Sequence, residues 1–236
     1  TASKPKFRTI NLSLNKLVGM AYATDELIED VSALEIYIER AFKDELEYKI
    51  QDSIINGSGI AMPLGIKNST ALVTVDKEGG QGSDTIIYEN ILAMWSRLFS
   101  NSRKNAVWLI NQNCEPQLHQ MSLAIGTGGN AVYLPSQGIA GAPHSTLFGR
   151  PVIPIEQCQT LGDLGDIYLA SFEDGYVSID RGGPKMDSSI HVRFIYGENC
   201  LRFQYRFSGC PVLSSAITPA NGTDTLSHFI NLQARN

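Results

Sequence analysis

Residues 24–57 read TDELIEDVSALEIYIERAFKDELEYKIQDSIING, and the spacing of the apolar residues in this stretch decides the fold. Leu27, Val31, Leu34, Ile38, Ala41 with Phe42, Leu46, Ile50 and Ile54 recur in steps of three and four. Those steps place them on one stripe of a 3.6-residue helix. Thr24 is the expected N-cap, because its hydroxyl can accept from an orphan N–H one turn in. Asp25 and Glu26 fall in the first turn, where acidic charge suits the positive end of the helix dipole. Gly57 follows Asn56 as the expected stop, since glycine takes the left-handed conformation cheaply. A helix over 25–55 is about 46 Å long, long enough to be the spine of a domain or to reach a neighbour. Its opposite face carries Glu29, Glu35, Arg40, Lys43, Asp44, Glu47 and Lys49. That face is either solvated or a contact between subunits.

Outward from the helix, bulk composition narrows the classes. The chain has 236 residues with 43% apolar and 18% charged, enough to bury a core and unlike a disordered chain. Its 21 Gly and 10 Pro indicate many turns rather than a helix bundle. A net charge of −5 argues against a basic nucleic-acid-binding patch. No apolar run is long enough for a membrane span, and TASKPKFRTI lacks the apolar segment of a signal peptide. The opening on a strand without Met suggests a chain that begins mid-fold. The four cysteines, Cys114, Cys158, Cys200 and Cys210, are scattered, which reads as reduced thiols in a cytosolic setting. The four histidines stand alone, so no zinc site is expected.

In chain order, Phe7–Lys16 alternates Ile10, Leu12 and Leu14 with Asn11, Ser13 and Asn15, the pattern of a half-buried strand. Residues 56–66, NGSGIAMPLGI, form a glycine-punctuated loop. It follows a helix and lacks the Lys-Ser/Thr of a phosphate loop, so nucleotide binding is not expected there. The spacing predicts a second helix over 84–100 capped by Ser83 or Asp84, a strand over 107–110, and a third helix over 113–124 capped by Asn113. Cys114 and His119 lie five apart on that third helix and do not face one another, so they read as a buried thiol and a surface imidazole. Gly126–Asn130 is a loop tip. The prolines of LFGRPVIPI (147–155) mark an edge or connector. Strands are expected over 166–172 and 176–180. Two more, 190–196 and 201–207, are joined by residues 197–200 at hairpin length, with Arg193, Arg202 and Arg206 on a wet face. No nucleophile elbow, zinc-helix motif or carboxylate pair is present. From residues alone, the chain is an α+β protein with a long helix, a late hairpin, and neither cofactor, metal site nor catalytic residues.

The order of these pieces carries a resemblance. The strand FRTINLSLNKL enters the helix at DELIED, followed by INGSG-x3-PLGI, LFGRPVIPI, GDIYLASF and YVSIDRGG, and a hairpin closes the series. This resembles the major capsid protein of tailed phages, with the Hong Kong 97-like fold. The resemblance implies a virion capsid subunit, not an enzyme, that self-assembles into pentamers and hexamers of an icosahedral shell around double-stranded DNA. It implies that residues 1–24 are the returning strand of an extended loop. Residues 25–67 and 181–207 would form an elongated peripheral domain, and 68–180 with 208–236 an axial domain. Assembly contacts are then expected at Glu35, Arg40 and Lys43 on the helix, and at Gly126, Gly128, Gly129 and Asn130, with the 136–146 loop, around the five- or six-fold axis. Implied partners are further copies of the chain, a portal, a scaffold or maturation protease of the same phage, and packaged DNA through non-specific contacts. Assembly would take place in the bacterial host cytoplasm. Some members weld subunits by a Lys–Asn isopeptide bond promoted by a glutamate. Glu198 stands at that glutamate's place but His191 at the asparagine's, so no self-crosslinking is expected. An encapsulin-like shell holding an enzyme cargo is the alternative that the same resemblance allows.

Overall fold

The computed structural model describes residues 8–24, 26, 34–125, 128–131 and 146–235. The chain divides into two compact units. Residues 1–64 with 178–210 make the first, and 65–177 with 211–236 the second.

In the first unit, strand β1 (Asn15–Thr24) leads toward helix α1 (Leu34–Asn56). β1 lies antiparallel to the long β11 (Glu198–Pro211), from Asn15 opposite Phe207 to Thr24 opposite Glu198. On its other side, β11 pairs with β10 (Lys185–Arg193) and with β9 (Tyr176–Asp180). The expected strand over 7–16 is therefore displaced. Ile10, Leu12 and Leu14 are half-buried and Asn11 and Ser13 exposed, but the ladder starts only at Asn15. Thr24 ends a strand, and the helix start expected at 25–33 falls outside the described residues except Glu26.

Along α1, the described part of the expected stripe faces inward except for Ala41, which is exposed. Leu34, Ile38, Phe42, Leu46, Ile50 and Ile54 are half-buried, and Arg40 and Lys43 are exposed. Phe42 stacks on Phe203 of β11 at 3.9 Å between ring centroids. Gly57 does end the helix, but its φ is not positive. A Cβ there would lie 2.3 Å from the carbonyl oxygens of both Ser53 and Pro63. Glycine is required by that close approach, not by a left-handed turn. The loop after it closes on itself, with Gly59 N–H donating to Pro63 O at 3.1 Å and Leu64 N–H to Gly209 O at 2.9 Å. Those amides are already spent within the chain.

The second unit is built on a six-stranded sheet. β2 is Val73–Val75, β3 Val107–Ile110, β6 Thr146–Leu147, β7 Arg150–Pro154, β8 Ile167–Ala170 and β12 Phe229–Leu232. Their order is β2-β12-β8-β3-β7-β6, with β2–β12 and β3–β7 parallel. LFGRPVIPI is thus more than a connector. It forms the edge strand β6 and its neighbour β7, with prolines at positions 151 and 154 of β7, and Ile155 N–H returns to Ile110 O at 2.8 Å. Helix α2 (Tyr88–Arg97) is shorter than the expected 84–100. The cap is also different. Asn90 Oδ1 accepts from the Ile87 N–H at 3.2 Å, while Asp84 sits at φ 52 outside the helix. Ile91, Met94 and Leu98 are fully buried with Trp108, Ile110, Ile167, Leu169, Ile230 and Leu232. Each such aliphatic side chain contributes about 1.5–3 kcal/mol of gross burial.

The third expected helix is shorter as well. Asn111, not Asn113, caps a 3₁₀ turn by accepting from Asn113 N–H at 3.0 Å. α3 then runs only over Glu115–Gln120, with Pro116 in its first turn. Residues 122–125 are strand β4, paired with β5 (Gly128–Ala131). The short α4 (Phe172–Gly175) links β8 to β9. A buried ion pair fastens this unit. Arg235 and Asp166 are both 0% exposed and in contact. Arg235 also donates to Thr85 O at 2.6 Å and Gln233 O at 2.9 Å, and Asp166 accepts from Gly162 N–H at 3.0 Å.

Candidate assembly surfaces

A catalytic site would need converging reactive groups within reach of a substrate. Cys114 is fully buried, its thiol pushed up to about 12 by burial and by the Asp166 carboxylate. His119 is exposed, so the two do not form a nucleophile pair. Ser102 Oγ and His228 Nδ1 lie 2.6 Å apart, but both residues are buried. Burial holds the His228 imidazole below its ordinary range, and the Asp174 carboxylate partly opposes this. The geometry is that of a satisfied core pair. Among the described residues, no three His, Cys, Asp or Glu side chains are grouped to hold a metal ion. All four cysteines are free thiols. No described helix is long and apolar enough to cross a membrane.

What the molecule does display is apolar surface. The β10–β11 hairpin turns through a single 3₁₀ turn, Phe194–Tyr196, and Gly197 at φ 61. Phe194 is 73% exposed, Ile195 92% and Tyr196 72%, with Ile190 and Val192 exposed beside them. Folded monomers rarely leave such a cluster in water, and larger patches mark contact surfaces. The tip is also stiffened. The Arg193 guanidinium lies 4.4 Å from the Tyr22 ring centroid and 5.9 Å from that of Tyr196, and bonds Glu198 at 3.0 Å. Arginine and tyrosine held in this way are the residue types that dominate binding energy at interfaces. Glu198 is therefore a hairpin residue paired with arginine, and His191 is exposed.

The same sheet face continues along β1. Val18, Met20 and Tyr22 are all exposed and, at alternate positions of one strand, share a side. Across the sheet on that side, Arg202 donates to Asp187 at 2.8 Å, holding its carboxylate below the usual range with help from Gln204. On the other side, β1, β11 and α1 enclose a groove of about 310 Å³, lined by Leu17, Phe42, Leu46, Met186 and Phe203. In the second unit, Phe148 is held at φ 50 in the β6–β7 turn, uncommon for a bulky side chain. Its ring lies 5.3 Å from Trp95 and 6.5 Å from Tyr88, and Arg103 covers Trp95 at 5.3 Å.

The residues named from sequence are distributed differently. Arg40 and Lys43 lie on the exposed side of α1, where Lys43 already pairs with Glu39 at 2.8 Å. Glu35 is on α1, and its side chain lies outside the described residues. Gly128, Gly129 and Asn130 are part of strand β5 rather than a loop tip. Gly126 and most of the 136–146 loop lie outside the described residues. The tip Phe194–Tyr196 was not foreseen. Its signal was three large apolar residues in a row directly before a turn glycine, where a soluble hairpin ordinarily turns through polar residues.

The family model described as "Phage capsid family" matches residues 1–222. No curated protein sequence matches the chain. Among solved structures, the capsid of an empty GTA particle superimposes with a TM-score of 0.75 at 17% identity, over 100% of this chain and 79% of that one. The Microbacterium phage Oxtober96 structure gives 0.67 at 11%, over 94% and 73%. The holo-SrpI encapsulin complex of Synechococcus elongatus gives 0.56 at 12%, over 93% and 73%. These likenesses establish an α+β fold of the Hong Kong 97 type.

Proposed function

We propose, because this chain belongs to the phage capsid family, that it is the major head subunit of a tailed bacteriophage or prophage. As a member of that family it is a capsid shell protein, and its work is self-association rather than catalysis. In our reading its copies form pentamers and hexamers of an icosahedral shell around double-stranded DNA. The first unit, with residues 1–24 as the returning strand of an extended loop, is the peripheral domain. The second unit is the axial domain, nearer the symmetry axes.

The observation that carries this reading is the apolar surface that the first unit displays, above all Phe194, Ile195 and Tyr196. Covering such surface needs large shared interfaces, of order 1,200–2,000 Å² each. The net charge of −5 fits a wall that touches DNA only loosely. Assembly in the host cytoplasm with a portal and a scaffold or maturation protease completes the proposal.

Electron microscopy of the expressed chain tests it. Closed shells, or rings of five and six, are the expected result. A compact monomer at high concentration is incompatible with it. The encapsulin-like neighbour supports a second reading, a shell around an enzyme cargo. Particles that co-purify with an enzyme, and without nucleic acid, would favour that reading over ours.

A further inference from the structure

The hairpin tip and the groove are both on the first unit, and neither can satisfy the other within one chain. Met186 lines the groove and Arg193 begins the tip, both on β10. Their partners on β11, Phe203 and Glu198, are five residues apart, about 17 Å at 3.3 Å per residue, because the register slips between Ser189 and Arg193. The tip is therefore too far along the strand to fill the groove that its own strand helps to build.

The chemistry of the two is complementary. The tip presents Phe194, Ile195 and Tyr196 without a charged side chain among them, and its flanking Arg193 is neutralised by Glu198. The groove floor is apolar, and its rim charges are largely neutralised in place. Glu39 pairs with Lys43 at 2.8 Å, and Glu45 with Lys49 at 3.8 Å. A rim already paired has little to offer a charged ligand, whereas a neutral apolar plug removes water from both surfaces.

We infer that the Phe194–Tyr196 tip of one copy seats in the α1–β1–β11 groove of a second copy. This rests on the shell reading and names the contact within it. Knob and hole are different patches of one chain, so the contact is heterologous, the kind that closes into rings when the rotation permits. It is distinct from an isologous contact in which tips meet tips.

Variants that each add one cysteine to the four native ones decide between these. Ile195→Cys changes an exposed tip residue, and Glu45→Cys an exposed rim residue, so neither disturbs the core. Each variant is allowed to assemble alone and in an equal mixture under mild oxidation, and dimers are counted on non-reducing gels beside the unchanged chain. The inference expects a disulfide-linked dimer in the mixture, at least tenfold above either variant alone. Strong dimer from Ile195→Cys alone means that tips meet tips and overturns it. Assembled particles without the mixed dimer overturn it while leaving the shell reading intact. A chain that stays monomeric, with no mixed dimer, overturns both.

Discussion

Replacing Arg235 by methionine isolates the energetics of the buried ion pair. In the native unit, both partners are fully buried. The guanidinium also serves Thr85 O and Gln233 O, while Asp166 accepts from Gly162 N–H. Methionine keeps much of the apolar stem but leaves a carboxylate with no counter-charge. Breaking one side of a buried pair costs about 3–5 kcal/mol. At about 2–4 °C per kcal/mol for a chain of this size, Tm should fall by roughly 6–20 °C.

Two controls separate charge from packing. Asp166→Asn with Arg235→Met keeps an acceptor for Gly162 but removes the lone charge, so it should recover about half the loss. The deficit of the single variant should also shrink on acidification. Burial raises the Asp166 carboxyl, with the Arg235 guanidinium opposing, and without that arginine its folded value rises further above the unfolded 3.8. The penalty is then full above the folded value and vanishes as pH falls toward the unfolded one. Differential scanning calorimetry of the full chain at neutral pH and near pH 4 reads both effects. A loss below about 1 kcal/mol, well under the expected range, or one equal at both pH values, would refute the reasoning.

Gly19→Val should loosen the first unit. A Cβ at Gly19 would lie 2.4 Å from Phe42 Cε1, forcing that ring from its stack on Phe203 at a cost of about 1–3 kcal/mol. Hydrogen exchange should speed up along α1 while β3 and β12 keep their protection. Stability of the second unit should fall as pH drops through 6.5, because burial lowers the folded pKa of His228 below its ordinary 6.5. The unfolded chain then binds the proton first, and His228→Gln should flatten that part of a Tm-against-pH curve. Reversing the charges at Glu35, Arg40 and Lys43 together should cost less than about 1 kcal/mol of stability, since Arg40 and Lys43 are exposed, while reducing ring assembly measured by sedimentation. Unfolding of the triple variant would show that this helix face belongs to the core.

The parts legible in the sequence were those where a period survives. The stripe Leu34, Ile38, Phe42, Leu46, Ile50 and Ile54 is half-buried along α1, because a single face of that helix is covered. The strand β1 was misplaced for the opposite reason. Its residues KLVGMAYAT put Leu17 toward the groove and Val18, Met20 and Tyr22 toward solvent, so apolar and polar do not alternate. Water-facing apolar side chains erase the period-two signal, and they do so where a neighbour is needed to cover them. The hairpin followed the same logic. Its existence was readable from two apolar runs around Gly197, but its tip was not, since exposed Phe194–Tyr196 imitates a continuing strand. The shortening of α2 and α3 turned on local side-chain caps, Asn90 and Asn111, which propensity does not locate to the residue.

One feature of the second unit bears on when a subunit becomes usable. β12, residues 229–232, is an interior strand, bonded to β2 on one side and β8 on the other. Until it is in place, β2 has no partner in the sheet and the rest of the sheet presents a bare edge at β8. A ribosome adding about 5–20 residues per second needs roughly 8–31 s to pass from the end of β2 at Val75 to Phe229. For the last part of that time the nascent chain carries its tip and groove residues without a finished second unit. The position of one strand thus makes the second unit wait for residues that are synthesised after both the tip and the groove.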